Sequence, residues 1–201
     1  MSKILSAQEK DLLIELFNIG IGKAAASLGI ISKQEISVSI PEINLILFTD
    51  FIDSLPQQEL CCVIQRSFGS LNSISALIFS QEGSFEIVRR MLGKHIDVSS
   101  NTELYQDAIR EIGNIMLNAC IGSIAKALDI RIETELPNLQ TGPPNNMLED
   151  NLLQKDDMIL DVIIDMHMVE SDIAGTIVFI MGPFSLNKLK QGLKPIIKRI
   201  S

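Results

Sequence analysis

The stretch Asp107–Leu128, DAIREIGNIMLNACIGSIAKAL, reads as one long amphipathic helix. Each helical residue turns by about 100 degrees. Asp107, Glu111 and Asn114 stand at i, i+4 and i+7 and therefore share one stripe. Ala108, Ile109, Ile112 and Ile115 lie mostly to the other side. Pro137 follows after 22 residues, giving the pattern D-x3-E-x2-N-x22-P. The same pattern stands 96 residues earlier, with every spacing kept, as Asp11, Glu15, Asn18 and Pro41. There the helix reads DLLIELFNIGIGKAAASL, Asp11–Leu28, with Leu12, Leu13, Leu16 and Phe17 on the apolar side. A single polar stripe is what any solvated helix face offers. Two identical stripes, each followed by the same gap to proline, are an internal repeat. Asn is a poor residue for a helix interior, so its recurrence points to a task for the carboxamide.

Working outward, each half reads as helix, strand, loop, strand pair, helix. In the first half, Ala7–Gly29 carries helical periodicity, and Glu35–Ile40 alternates as a strand. Leu45–Leu55 falls in a loop region. Cys62–Ile64 and Ser75–Phe79 form a hairpin around Gly69, and Ser84 caps a helix over Phe85–Leu92, closed by Gly93. In the second half, a helix covers Glu103–Leu128 and a strand Ile130–Leu136. Thr141–Asn146, TGPPNN, is a breaker. Met158–Met166 and Ile173–Met181 pair as strands, and Ser185 caps a last helix that Pro195 ends or kinks. The polar segment Asp97–Thr102 links the halves. One domain spanning 1–201, made of repeats at about 7–95 and 103–196 related by a pseudo-two-fold axis, is expected. Either half alone would leave a sheet edge open.

Composition excludes several function classes. With 46% apolar residues the chain can build a core, which argues against disorder. A net charge of −8, one Tyr and no Trp argue against nucleic-acid binding. No run of about 20 apolar residues predicts a membrane span, and the N-terminus lacks a signal-peptide core. A cytoplasmic protein is expected. Cys61, Cys62 and Cys120 have no metal-like spacing and read as buried, inert thiols. Cys61 and Cys62 are strand neighbours, so at most one faces a given core. His95 and His167 are isolated, and no nucleophile elbow or zinc-helix motif is present.

Two further features have simple readings. Gly20-Ile21-Gly22-Lys23-Ala24-Ala25 matches a dinucleotide fingerprint, but it follows a helix and not a strand. The second copy has Met116, Leu117 and Asn118 there, so close helix packing explains the small residues better. Lys188, Lys190, Lys194, Lys198 and Arg199 read as a solvated basic face complementing the last helix's dipole.

The repeated pattern resembles the signature of the CheC/CheX/FliY family of bacterial chemotaxis phosphatases. EIGNIMLNACIGSIAKAL at Glu111–Leu128 and ELFNIGIGKAAASL at Glu15–Leu28 are each similar to that family's signature helix, and the resemblance covers nearly the whole chain. Two complete signatures are similar to CheC-type members. CheX resembles a version with one active signature, and FliY carries an added flagellar-switch domain, for which no room is expected before Ser201. Phe17 against Gly113, and Met116 and Asn118 where small residues are common, depart from the pattern, off the Glu–Asn stripe.

The resemblance implies an α/β layered fold with two signature helices on one side of a six-stranded sheet. It implies dephosphorylation of a phosphorylated CheY-type receiver. Asn18 and Asn114 would position and polarise water, Glu15 and Glu111 would dock on a receiver lysine, and Asp11 and Asp107 would support them. Mg²⁺ would come with the receiver, and this chain itself would bind no metal or cofactor. The alternative is a binding module that sequesters a chemotaxis partner, for which the resemblance suggests the receptor deamidase CheD.

Overall fold

The computed structural model describes residues 5–93, 102–144, 158–168 and 171–200. His95, most of the linker at Asp97–Thr102 and the end of the breaker at Asn145–Asn146 lie outside them. In chain order the elements are α1 (Ala7–Ser32), β1 (Ile36–Leu47), α2 (Phe48–Ser54), β2 (Leu60–Gly69), β3 (Ser73–Ser80) and α3 (Gln81–Leu92). There follow α4 (Thr102–Leu128), β4 (Ile132–Thr134), β5 (Asn138–Gly142), β6 (Met158–Met168), β7 (Ser171–Met181) and α5 (Pro183–Ile200).

All strands join one antiparallel sheet in the order β1-β6-β7-β3-β2-β4, with β5 also on β2. Exchanging each element for its counterpart in the other half reverses this order and leaves it unchanged. The hairpins β2–β3 and β6–β7 meet at the centre through β3 and β7. Each signature helix is followed by an edge strand that pairs with the other half's hairpin: β1 with β6, β4 and β5 with β2.

Among the described residues the sheet has seven strands where six were expected, because the second edge strand is broken in two around Pro137. Pro41 stands in the matching edge strand, inside β1, where the register shifts between Ser39 and Glu42. Proline cannot donate to a ladder and is confined to edges and bulges. The repeated proline thus marks both sheet edges, as a bulge in one and a break in the other. β1 also runs on past the expected strand to Leu47, and α2 occupies what reads as loop.

The main core lies between one sheet face and α1, α3, α4 and α5. A smaller cluster on the opposite face holds Phe51 and Leu55, from and just after α2, against Cys62, Ile78 and Ile180. Covering both faces explains why the strand neighbours Cys61 and Cys62 are both buried, one in each cluster.

Helix ends account for the other differences. Ser6 and Glu9 form a reciprocal capping box on α1, whose last turn closes on Lys33 in a left-handed conformation. The α3 helix starts at Gln81 on the cap Ser80, four residues before the expected Ser84. Ser84 lies inside the helix and shares a 2.7 Å hydrogen bond with the Tyr105 hydroxyl of α4. Ser185 is likewise inside α5, which opens on Pro183, and its Oγ accepts from the Asn72 backbone N–H at 3.2 Å. Pro195 does not end α5. Pro195 and Gln191, whose carbonyl loses its partner, are both exposed, so water can satisfy it. Of the basic tail, Lys188, Lys194, Lys198 and Arg199 are exposed, whereas Lys190 is mostly buried 3.5 Å from Glu9.

By length and composition α1 is apolar enough to cross a membrane, although no single apolar run suggested it. Its apolar side is packed inside the core, where Leu13, Phe17, Ile21 and Leu28 are buried. The Phe17 ring stacks on Phe179 of β7 with centroids 5.3 Å apart.

The fingerprint-like glycines of α1 differ in role. A Cβ on Gly20 would stand 2.6 Å from the Ala119 carbonyl oxygen of α4, whereas one on Gly22 would meet nothing within 4 Å. Gly20 is the packing glycine. In urea denaturation Gly20→Ala is expected to destabilise by about 1–3 kcal/mol, the usual cost of overpacking. Gly22→Ala should stabilise by up to about 1 kcal/mol through helix propensity alone. Equal effects of the two substitutions would contradict this packing.

Candidate functional site

The α1 and α4 helices lie side by side on the sheet, with their apolar sides inward. Burial of Leu12, Leu13, Leu16 and Phe17 fixes the rotation of α1 and turns Asp11, Glu15 and Asn18 to solvent. In α4, burial of Ile109, Ile112, Gly113 and Met116 exposes Asp107 and Glu111 and leaves Asn114 half-buried. Gly113 must be small, since a Cβ there would stand 2.4 Å from Val63 of β2. Phe17, its counterpart, fills space against Phe179 instead. The helix–residue match is thus large on one side and small on the other.

The two stripes are equal in composition but not in surroundings. In the second, a chain of hydrogen bonds leads to the asparagine. Thr134 of β4 donates through Oγ1 to Asn118 Oδ1 at 3.0 Å. Asn118 Nδ2 donates to Asn114 Oδ1 at 2.7 Å. Asn114 Nδ2 faces Glu111 Oε2 at 3.5 Å. Asn118 therefore lies on the Glu–Asn stripe and not off it, because it follows Asn114 by four residues, one helical turn. Arg110 Nη1 holds Asp107 Oδ1 at 2.7 Å, so that carboxylate is tied to its own helix. In the first stripe, Asn18 makes no side-chain hydrogen bond among the described residues. Lys10, next to Asp11 in sequence, reaches Glu42 just past the Pro41 bulge at 3.9 Å.

The arrangement offers carboxylates and carboxamides on an open surface. A carboxamide both donates and accepts. With Oδ1 of Asn114 accepting from Asn118, that side chain keeps an N–H donor to present. Other reactive groups are poorly placed. Burial pushes the Cys61, Cys62 and Cys120 thiols up, away from the reactive thiolate form. His167 pairs with Asp172 at 2.8 Å on the β6–β7 hairpin. Among the described residues no group of three or more His, Cys, Asp or Glu is arranged to hold a metal ion.

No family model matches the chain. It is 22% identical over 169 residues to the Bacillus subtilis flagellar motor switch phosphatase FliY, spanning 83% of this chain and 44% of that protein. The chain thus covers less than half the length of this relative. It is 18% identical over 155 residues to the B. subtilis CheY-P phosphatase CheC, spanning 75% of this chain and 74% of CheC. In fold it is similar to Thermotoga maritima FliY, with a TM-score of 0.78 at 17% identity over 95% of this chain and 98% of that one. It is also similar to Helicobacter pylori FliM from a FliM–SpeE complex, with a TM-score of 0.73 at 8% identity over 95% and 97% of the two chains. The Borrelia burgdorferi CheX–CheY–BeF3–Mg complex gives a TM-score of 0.52 at 16% identity over 84% and 97%.

Because five of the six stripe residues are exposed and Asn114 is half-buried, they contribute little to folding. Replacing Glu15, Asn18, Glu111 and Asn114 together by Ala should leave the protein folded. Each change at an exposed position is expected to cost within about 0.5 kcal/mol, and Asn114→Ala about 0.5–1.5 kcal/mol for the hydrogen bond it gives up. Loss of the cooperative unfolding transition in that quadruple variant would mean the stripes serve structure.

Proposed function

We propose that this chain, a member of the CheC/CheX/FliY type, hydrolyses the aspartyl phosphate of a phosphorylated CheY-type response regulator in the cytoplasm. The observation that carries the reading is the pair of Glu–Asn stripes, at matching places on two adjacent helices, both turned to solvent. Similarity to a CheY-P phosphatase and to a flagellar motor switch phosphatase supports it. So does the likeness in fold to a CheX solved together with CheY.

The chemistry asks little of the helper. Water attacks phosphorus in line, the bond from phosphorus to the aspartyl oxygen breaks, and inorganic phosphate and a free receiver carboxylate result. Such transfer depends on placement and charge stabilisation. The receiver brings its own Mg²⁺ as part of the substrate. Glu15 and Glu111 dock on a cationic side chain of the receiver, with Asp11 and Asp107 in support. Asn18 and Asn114 orient the attacking water, and their N–H groups meet charge that develops on the transferring group.

A second reading, a binding module that sequesters a chemotaxis partner such as CheD, is favoured by the likeness to FliM, which is solved in complexes with other proteins. Release of phosphate from a phosphorylated receiver, with this protein well below stoichiometry, separates the two. Many turnovers are expected under the phosphatase reading and none under the binding reading.

Two outcomes test the roles. Removing either Glu–Asn pair should leave the other site active, and removing both should abolish turnover. Undiminished turnover by the folded quadruple variant would refute the site assignment. With Asn18→Ala in place, Asn114→Asp should lose most of the remaining rate. The change keeps size but replaces a donor by an anionic oxygen facing phosphoryl oxygens, and like charges in a partly dry interface repel. Single-turnover decay as fast as in the Asn114 parent would instead assign an acceptor or base role.

A further inference from the structure

We infer that Asn118, backed by Thr134, is a positioning residue that locks the Asn114 carboxamide in one orientation, which makes the α4 site the faster of the two. This rests on the phosphatase reading above. The polarity of the hydrogen-bond chain is set from its charged end. A carboxylate only accepts, so the Asn114 atom facing Glu111 Oε2 at 3.5 Å is the NH₂. Its oxygen then faces Asn118, which must donate, at 2.7 Å. Asn118 in turn presents its oxygen to Thr134, whose hydroxyl supplies the proton at 3.0 Å. Turning the Asn114 amide by 180 degrees would place its oxygen against a carboxylate and its NH₂ against an NH₂. Turning both amides together would keep the bond to Thr134, whose hydroxyl can also accept, and lose the one to Glu111, so the orientation that keeps every bond is the one with the Asn114 NH₂ toward Glu111, and it keeps an N–H of Asn114 available.

The α1 site lacks this support. At the 96-residue offset Gly22 stands in the place of Asn118 and Val38 in the place of Thr134. Neither side chain carries a hydrogen-bonding group. Asn18 is exposed and has Glu15 three residues before it but no second amide behind it, so nothing holds the oxygen end of its carboxamide. Catalytic groups held in the productive geometry by a supporting shell outperform unsupported ones. A hydrogen bond of ordinary net strength corresponds to roughly fivefold to tenfold in rate.

The test uses the full chain and a CheY-type receiver phosphorylated with acetyl phosphate, followed by single-turnover decay at increasing protein concentration. With Glu15→Ala and Asn18→Ala, only the α4 site reports. With Glu111→Ala and Asn114→Ala, only the α1 site reports. The α4 parent should be about fivefold to tenfold faster at saturation. Adding Asn118→Ala should lower its maximal rate by about the same factor with little change in the half-saturating concentration. A gain of function separates positioning from mere structural support. In the α1 parent, Gly22→Asn together with Val38→Thr should raise the maximal rate several-fold. The new side chain has room, since a Cβ at Gly22 meets nothing within 4 Å. Absence of turnover by the unmodified protein would remove the phosphatase reading and this inference together. Turnover with an α4 site indifferent to Asn118→Ala, or an α1 site not improved by Gly22→Asn and Val38→Thr, would overturn the positioning role alone.

Discussion

The approach of α1 to α4 at Gly20 constrains everything that faces solvent. The Ala119 carbonyl oxygen lies 2.6 Å from where a Cβ on Gly20 would be, so the helix backbones meet closely there. That contact, with the apolar sides of both helices pressed on one sheet face, leaves each helix a single rotational setting. A helix turned by one residue, about 100 degrees, would in one direction bury Glu15 or Glu111 and in the other expose Leu16 or Ile112. Burial of an unpaired carboxylate is costly, so core packing and stripe exposure reinforce each other. The surface chemistry is fixed by the part of each helix that never touches solvent.

The exchange of edge strands ties this helix pair to the sheet. The chain leaves α1 into β1, which pairs with β6 of the other half, and leaves α4 into β4 and β5, which pair with β2. Each half's helix thereby lies over strands contributed by the other. Phe17 rests on Phe179 and Gly113 on Val63. Neither half can complete its layer alone, because the strand beside each hairpin comes from across the midline. The open backbone edge left by a lone half is a pairing liability, and the exchange closes it internally.

The signature helices, the stripe and the hairpins were legible in the sequence because each rests on local periodicity. What escaped depends on partners far along the chain. Ser84 and Ser185 carry the right chemistry for caps, yet their hydroxyls serve Tyr105 and Asn72. The cap of α3 is Ser80, also a serine, and nothing local separates the two. Leu45–Leu55 reads as loop because β1 crosses a proline and passes straight into α2. Pro137 breaks its edge strand outright while Pro41 is absorbed in a bulge, a difference set by neighbouring strands. The repeated proline was visible as a spacing, but its meaning as an edge marker needed the sheet order.

Asn118 illustrates a different limit. Its helical spacing from Asn114 was available, but reading it only as a departure from a small-residue pattern hid the relation. The bond to Asn114 has consequence because Thr134 arrives from β4, 16 residues on, to anchor the remote end of the Asn118 side chain. A carboxamide next to a carboxylate has a preferred orientation in any case. Supporting it from behind with a second amide adds a bond that is lost if the first amide flips alone, so a flip must carry both amides with it. The α1 helix keeps the same Glu and Asn but has glycine at the supporting position. A surface defined by composition alone would treat the two stripes as equal. Defined by which atoms are already spoken for, they differ: the Asn114 oxygen accepts from Asn118, and the Asn18 side chain has no hydrogen-bond partner among the described residues.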